Sequence, residues 1–325
     1  MKIVWKYIAV FFIGTTVMQS CTSTVRITVM HPADIAIPAD LDSLIIIDRT
    51  KTIKTSGKVG NVLEGIITGE PLAGDRNGVN KTLTHAIDIL NSNDRMTLVT
   101  TQIFEVPNIN GTLKYEIPIR SEVIDSLAQK HQADGVLALE YFDSDKVING
   151  NQNSSESFVY TYWRLYYPND QQIIDEFQLQ TYGRRDYSYS TIIPSGYSSI
   201  VRAGVESADR YLKRIIPSWY SETRTYYTKG CDELKLARNY IGIMDWEQAK
   251  YTLEMGMDQM YSPKILGRLT YNLAIVCEQL DLMQDALDYA YKSAETGNSK
   301  APHLIKILKI RMAEQPLLEE QMKRE

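Results

Sequence analysis

Few residues in this chain stand at spacings that could do chemistry. No His-Glu-x-x-His, Gly-x-Ser-x-Gly or Cys-x-x-Cys occurs in its 325 residues, so the common zinc, serine-hydrolase and dithiol arrangements are not signalled. Ser56-Gly57-Lys58-Val59-Gly60 is a glycine–lysine loop. It lacks the upstream glycine and the hydroxyl residue after Lys58 that a phosphate cradle needs. Asp143, Asp145 and Asn149 have a calcium-like spacing, but no bidentate Glu follows where such a loop requires one. The histidines His31, His85, His131 and His303 fall in different elements. His85 and His131 stand on polar helical stretches, where solvation explains them better than ligation. No catalytic, cofactor or metal residue is therefore assigned.

The unusual chemistry is aromatic. Of 21 tyrosines, 12 lie between Tyr160 and Tyr227, joined by Trp163 and Trp219. Tyr160, Tyr162, Tyr166 and Tyr182 have positions consistent with one face of a hairpin, and Arg184-Arg185-Asp186-Tyr187-Ser188-Tyr189 sets arginines beside tyrosines. Tyr and Arg bury much area at a small entropy cost and are enriched where proteins bind partners. Tyr and Trp rings also stack on sugars. Ordinary β-propensity and half-buried sheet packing account for the same residues without a ligand. The candidate binding surface is Tyr160, Tyr162, Trp163, Arg184, Arg185, Tyr187 and Tyr189.

One more side chain has a chemical role set by its neighbours. Lys2 and Lys6 precede a short apolar run from Tyr7 to Val17, and Ser20 stands directly before Cys21. The run is shorter than the roughly 20 residues that span a bilayer. The segment resembles a bacterial lipoprotein signal, although Met18 and Gln19 are not its commonest residues. The resemblance implies cleavage after Ser20, acylation of the Cys21 sulfur and attachment to a membrane through that lipid.

Composition limits the rest. The formal charge is −5, and loss of residues 1–20 removes Lys2 and Lys6 and no acids, leaving about −7. An acidic body without a Lys/Arg block is a poor partner for nucleic acid. Length suffices for two domains. Cys231 and Cys277 fall on helical patterns, where free buried thiols are favoured over a disulfide.

The elements that position these residues follow from periodicity. Residues 21–228 read as an α/β domain with a mixed sheet. Val25 to Val29 alternates as a half-buried strand, and Leu44-Ile45-Ile46-Ile47 is a run for a strand buried on both faces. Val79, Leu83, Ala86, Ile87 and Leu90 predict a helix over 79–91, and Val123, Ile124, Leu127 and Ala128 predict another, capped by Ser121. A strand is expected around Met96 to Ile103 and another over 136–142, then a polar loop over 143–155. A hairpin follows, with strands over 158–167 and 173–182, and then a loop over 183–198. Val201, Val205, Ala208, Leu212 and Ile215 predict a further helix, and Trp219 to Thr228 a last strand.

Residues 229–325 read as all-helical. Ala237, Tyr240, Ala249 and Leu253 recur as Ala274, Cys277, Ala286 and Ala290 at an offset of 37. This resembles the tetratricopeptide repeat, without its Trp-Leu-Gly opening and with a slightly long period. The resemblance implies paired helices, a cap over about 301–315, and a peptide-binding groove lined by 232–240 and 268–279. The overall expectation is an α+β chain: signal 1–20, α/β domain 21–228, tetratricopeptide-like domain 229–325.

Val29-Met30-His31-Pro32-Ala33, Ile35 to Arg49, Ala133 to Leu137, Tyr162 to Tyr166, and Tyr271-Asn272-Leu273-Ala274 with Glu278 together resemble a Bacteroidota lipoprotein family of unknown function, DUF6340. That resemblance spans nearly the whole mature chain and carries no catalytic residue. It implies an envelope lipoprotein with an α/β domain and tetratricopeptide-like helices. The leading reading is a non-enzymatic, lipid-anchored protein that binds a protein or peptide partner as a scaffold or accessory factor, and the lack of an acidic run after Cys21 favours the outer membrane with the body facing the periplasm. Two other readings are a glycan-binding module using the Tyr/Trp hairpin, and an enzyme with a dispersed site.

Overall fold

The computed structural model describes residues 21–50, 74–106, 117–149, 154–170, 172–186 and 197–323. The signal segment, the glycine–lysine loop at 56–60, Tyr187 and Tyr189 lie outside them. The chain divides into two units, one made of Met1–His31 and Trp219–Leu317, the other of Pro32–Ser218 and Leu318–Glu325.

The second unit is the α/β body. Its sheet has the order β3-β2-β4-β5-β6, with β2 (Ser43–Asp48), β3 (Thr97–Glu105), β4 (Gly135–Asn149), β5 (Ser154–Tyr167) and β6 (Gln172–Asp186). β2 runs parallel to both β3 and β4, and β4, β5 and β6 run antiparallel in turn. The mixed sheet expected from sequence is thus observed. β2 is flanked on both sides, and Leu44 to Ile47 are all fully buried, as a continuous apolar run requires.

Alternation splits these residues between two cores. Leu44, Ile46, Leu137, Leu139 and Trp163 face α1 (Gly74–Asn91) and α3 (Tyr197–Ile215). Ile45, Ile47, Val136 and Ala138 face α2 (Ser121–His131), through Ile124 and Ala128. The result is three layers, with each buried aliphatic side chain worth roughly 1.5–3 kcal/mol. The cap of α2 is Arg120, with no side-chain hydrogen bond, not Ser121.

Helix α3 rests on the hairpin largely through hydroxyls. Ser157 Oγ bonds Ser199 Oγ at 2.8 Å, Thr161 bonds Ser207, and Thr181 Oγ1 donates to the Ala203 carbonyl at 2.7 Å. Gly183 permits this approach, because a Cβ there would stand 1.9 Å from the Ser199 carbonyl oxygen. The buried stripe takes in Ala208, Leu212 and Ile215 as expected and widens to Ala203, Ser207 and Tyr211, whereas Val201 and Val205 are only half-buried.

The first unit holds β1 (Thr22–His31), β7 (Ser218–Tyr227) and five helices: α4 (Asp232–Gly242), α5 (Trp246–Met257), α6 (Pro263–Gln279), α7 (Met283–Glu295) and α8 (Ala301–Gln321). β1 and β7 form their own two-stranded sheet. By compactness the chain divides differently from the sequence boundary at 228: both strands group with the helices. Periodicity marks a strand but not the sheet it joins.

The 37-residue offset reappears in the backbone. Met244 (φ 61°) and Asp281 (φ 59°) take the left-handed conformation in the two turns. Ala237, Ala249, Leu253, Ala274, Ala286 and Ala290 are all fully buried. α8 continues past residue 315 to Gln321, with Pro316 inside it. Cys231 and Cys277 are buried free thiols, and burial pushes Cys277 up to about 12. Among the described residues, no helix is long and apolar enough to cross a membrane.

Candidate functional site

The hairpin β4-β5-β6 is longer than its apolar residues suggest. β4 runs to Asn149, pairing Asp143 with Tyr160 and Asp145 with Phe158. These acids are strand residues and not a calcium loop, and no metal-holding group of three ligands occurs among the described residues. β6 runs to Asp186, so Arg184 and Arg185 are strand residues, paired with Glu156 and Ser155.

The pleat of β5 sorts the predicted surface. Tyr160 and Tyr162 share a face with Phe158 and, across the ladder, with Gln178, Gln180 and Tyr182. Gln180 donates to the Tyr160 hydroxyl at 3.0 Å. Phe158 and Tyr182 meet at 5.4 Å between centroids and remain 37% and 45% exposed. Arg184 is exposed, 3.8 Å from the Glu156 carboxylate. Trp163 does not belong to this surface. It is fully buried on the opposite face, stacked on Tyr211 at 5.4 Å, and its indole N–H donates to Ser207 Oγ at 3.0 Å. Residues one apart in a strand cannot share a face, which is the reason for this correction.

On the tyrosine side, a buried charge cluster was missed by sequence reasoning. A break in register between Leu139 and Tyr141 leaves Glu140 opposite no β5 residue. Its carboxylate is fully buried. Arg49 Nη1 and the Tyr166 hydroxyl donate to it at 2.5 Å each, and Arg164 Nη1 at 3.2 Å. Arg164 also donates to Glu176 at 2.8 Å and lies over the Tyr162 ring, 5.1 Å from its centroid. Burial, then the Glu140 carboxylate, push the Tyr166 phenol well above its ordinary value. Hydrogen bonds from Arg164 hold Glu176 below the usual carboxylate range. Two acids and two arginines balance, and Glu140 already accepts from three donors. The arrangement braces the sheet. The available signal was a charge inside each of two apolar runs, Glu140 and Arg164, since a buried charge must find a partner.

In the helical unit, one of the two expected groove linings, 268–279, is covered, whereas the other, 232–240, keeps an exposed face. α6 is buried throughout from Leu269 to Glu278, because α5, α7 and the chain's own strands together cover it. Asn272 bonds both backbone groups of Tyr227. Arg224 donates to Glu278 at 2.9 and 2.7 Å, and the Thr28 N–H donates to Gln279 at 3.3 Å. The groove lining of 268–279 is therefore corrected: it is not open to a peptide.

The model of a domain of unknown function, DUF8603, matches residues 41–227, more than half of the chain, and the chain belongs to that family. A second domain of unknown function, DUF6340, matches residues 235–316. The DUF6340 likeness is thus narrower than its scattered motifs suggested, and only Tyr271 to Ala274 and Glu278 fall inside it. No curated protein matches the chain. Among solved structures, a putative lipoprotein from Caulobacter crescentus is 16% identical with a TM-score of 0.20, over 30% of this chain and 80% of its own. A minor lipoprotein from Acinetobacter baumannii is 9% identical with a TM-score of 0.27, over 56% and 98%. A lipoprotein from Neisseria meningitidis is 12% identical with a TM-score of 0.22, over 52% and 99%. Scores this low carry no argument.

Proposed function

We propose that this chain is a lipid-anchored protein of the bacterial cell envelope that acts without catalysis, binding a protein or peptide partner as a scaffold or accessory factor. The observation that carries the reading is the tyrosine face of β4-β5-β6, with Phe158 and Tyr182 exposed on it. The face ends at β6, a 15-residue strand that closes the sheet order among the described strands. Such an edge can accept an extended segment of a partner, whose side chains then meet the tyrosines.

The signal-like segment before Cys21 supports anchoring, and Cys21 is exposed immediately before β1. The non-enzymatic reading rests on the saturation of Glu140 by three donors. The sequence resemblance supports an origin in Bacteroidota. The absence of an acidic run after Cys21 favours an outer-membrane protein facing the periplasm. The repeated turns at Met244 and Asp281 support calling the helices tetratricopeptide-like. The glycan reading is weakened by the burial of Trp163.

Site-specific photocrosslinking in cells tests the assignment. A photoreactive residue at Tyr182 or Phe158 should give a discrete protein adduct, and one at the exposed Arg210 on α3 should not. Adducts from neither strand position, or equally from Arg210, defeat it.

A further inference from the structure

We infer that the end of the helical unit carrying Cys21 lies flat against the lipid bilayer, with Met260 entering the headgroup layer. The inference rests on the anchoring reading above and adds which surface meets the membrane.

The tether is short. Cleavage after Ser20 makes Cys21 the first residue. β1 begins at Thr22, and the Cys21 carbonyl already accepts a hydrogen bond from the Thr228 N–H at 2.9 Å. Each extended residue of linker would add about 3.5 Å of reach, and here no residue intervenes. Acyl chains on the Cys21 sulfur must lie in the hydrocarbon. The Cys21 backbone is then held at headgroup depth, and whatever surrounds it is pressed there too.

The helices define what surrounds it. The chain passes from Thr228 directly into the start of α4, and the turns alternate between the two ends of the helical unit. The α4 start, the α5–α6 connection and the α7–α8 connection share the Cys21 end. Contacts confirm this grouping: the Tyr261 hydroxyl donates to Glu233 at 2.8 Å, Arg268 Nη1 donates to the Lys229 carbonyl at 2.8 Å, and Asn298 Nδ2 donates to the Gly267 carbonyl at 3.1 Å. The turns with Met244 and Asp281 lie at the opposite end. α5, with 12 residues, separates the ends by about 18 Å.

Met260 stands on the Cys21 end in the α5–α6 connection, 105% exposed. A methionine so displayed costs nothing to insert and gains by leaving water. The cations Lys229, Lys264 and Arg268 stand among the acids Asp232, Glu233 and Asp258 at this end. The mixture favours a contact that does not depend on anionic lipid.

The test uses the full chain, acylated in a bacterial host and reconstituted into vesicles of phosphatidylethanolamine and phosphatidylglycerol. Cys231 and Cys277 are buried and Cys21 is blocked by lipid, so Met260→Cys and Met244→Cys each offer one accessible thiol for an environment-sensitive fluorophore. The label at 260 should shift to the blue and be quenched by headgroup spin-labelled phospholipid, at low and high salt alike. The label at 244 should do neither. Quenching at 244, or at neither position, in protein whose Cys21 peptide carries acyl chains by mass spectrometry overturns the orientation alone. A Cys21 peptide without acyl chains overturns both the anchoring and the orientation.

Discussion

The side-chain amide of Asn272 holds the backbone of Tyr227 by both of its groups: Oδ1 accepts from the Tyr227 N–H at 2.8 Å, and Nδ2 donates to the Tyr227 carbonyl at 2.7 Å. A helix thereby treats a strand of its own chain as a groove treats a peptide ligand. The pair fixes β7 against α6, which is one reason β7 belongs with the helices. Around it, the Tyr227 ring meets Tyr271 edge-on at 5.5 Å, and Arg268 lies 5.2 Å from the Tyr227 centroid.

Replacing Asn272 by Leu removes both bonds and leaves a backbone donor and acceptor beside an apolar side chain. Asn272 is fully buried, so water cannot substitute. The expected loss is about 2–4 kcal/mol, read as a lower urea midpoint with an unchanged slope. A loss under about 0.5 kcal/mol would show that the strand is held by packing alone.

Trp163 and Tyr182 separate core from surface. Trp163→Ala empties a site between β5 and α3 and leaves the Ser207 hydroxyl with Thr161 alone, at a cost of about 3–5 kcal/mol. Tyr182→Ala, on a side chain 45% exposed, should change stability by no more than about 0.5 kcal/mol and abolish the partner adduct. Thermal unfolding and crosslinking on the same variants check both statements. A stable Tyr182→Ala protein that keeps its adduct removes that residue from the interface.

How far the sequence could be read depends on whether the signal was local. β2 was legible because four apolar residues in a row, Leu44 to Ile47, leave no polar face. α1 was legible from Val79, Leu83, Ala86 and Leu90. The face of α3 was legible at Ala208, Leu212 and Ile215, but the burial of Ser207 was hidden because it rests on pairing with Thr161 and Trp163, and hydropathy marks a serine as exposed. β4 was cut short at Phe142 because Asp143 and Asp145 look like loop residues. They alternate with Ser144, which is buried with its hydroxyl bonded to Asp75. The side of Trp163 is legible from alternation alone, since its odd number in the strand opposes Tyr160 and Tyr162. The covering of α6 by β1 and β7 was out of reach, because Asn272 and Tyr227 stand 45 residues apart and neither predicts the other.

Glu140 gives the α/β body its sharpest test. Glu140→Leu leaves Arg49 and Arg164 buried without the acid between them, and the expected cost is about 3–5 kcal/mol. Arg164 retains Glu176 and Arg49 retains the Ile117 carbonyl at 2.8 Å, so the fold survives at reduced temperature. Removing Arg49 as well, as Arg49→Met in the Glu140→Leu background, should recover part of the loss. Additive losses in this double-mutant cycle would show that the two side chains do not interact.

The cysteines predict a chemical silence. Burial pushes the Cys277 thiol up to about 12 and raises Cys231 as well, so neither presents a thiolate at neutral pH. A Cys21→Ser protein should consume no thiol reagent while folded and two equivalents in denaturant. Prompt reaction of one thiol in the native protein would place that helix end in exchange with solvent.

The last prediction concerns acid. His31 lies between two carboxylates, Nε2 at 2.9 Å from Glu222 and Nδ1 at 3.0 Å from Glu314, and Arg224 also pairs with Glu222. Burial alone would raise the Glu222 carboxyl, but the bonds from His31 and Arg224 outweigh it and hold it below its ordinary value. A carboxyl lowered on folding contributes stability above its unfolded pKa and loses it as pH falls through the lowered, folded value. His31→Gln weakens the charge acting on Glu222 while keeping a donor. The Glu222 titration, followed by carboxyl carbon NMR, should therefore move upward, and the acid limb of the stability profile should begin at higher pH. An unmoved titration would assign the lowering to Arg224 alone, and Arg224→Met would then have to produce the whole shift.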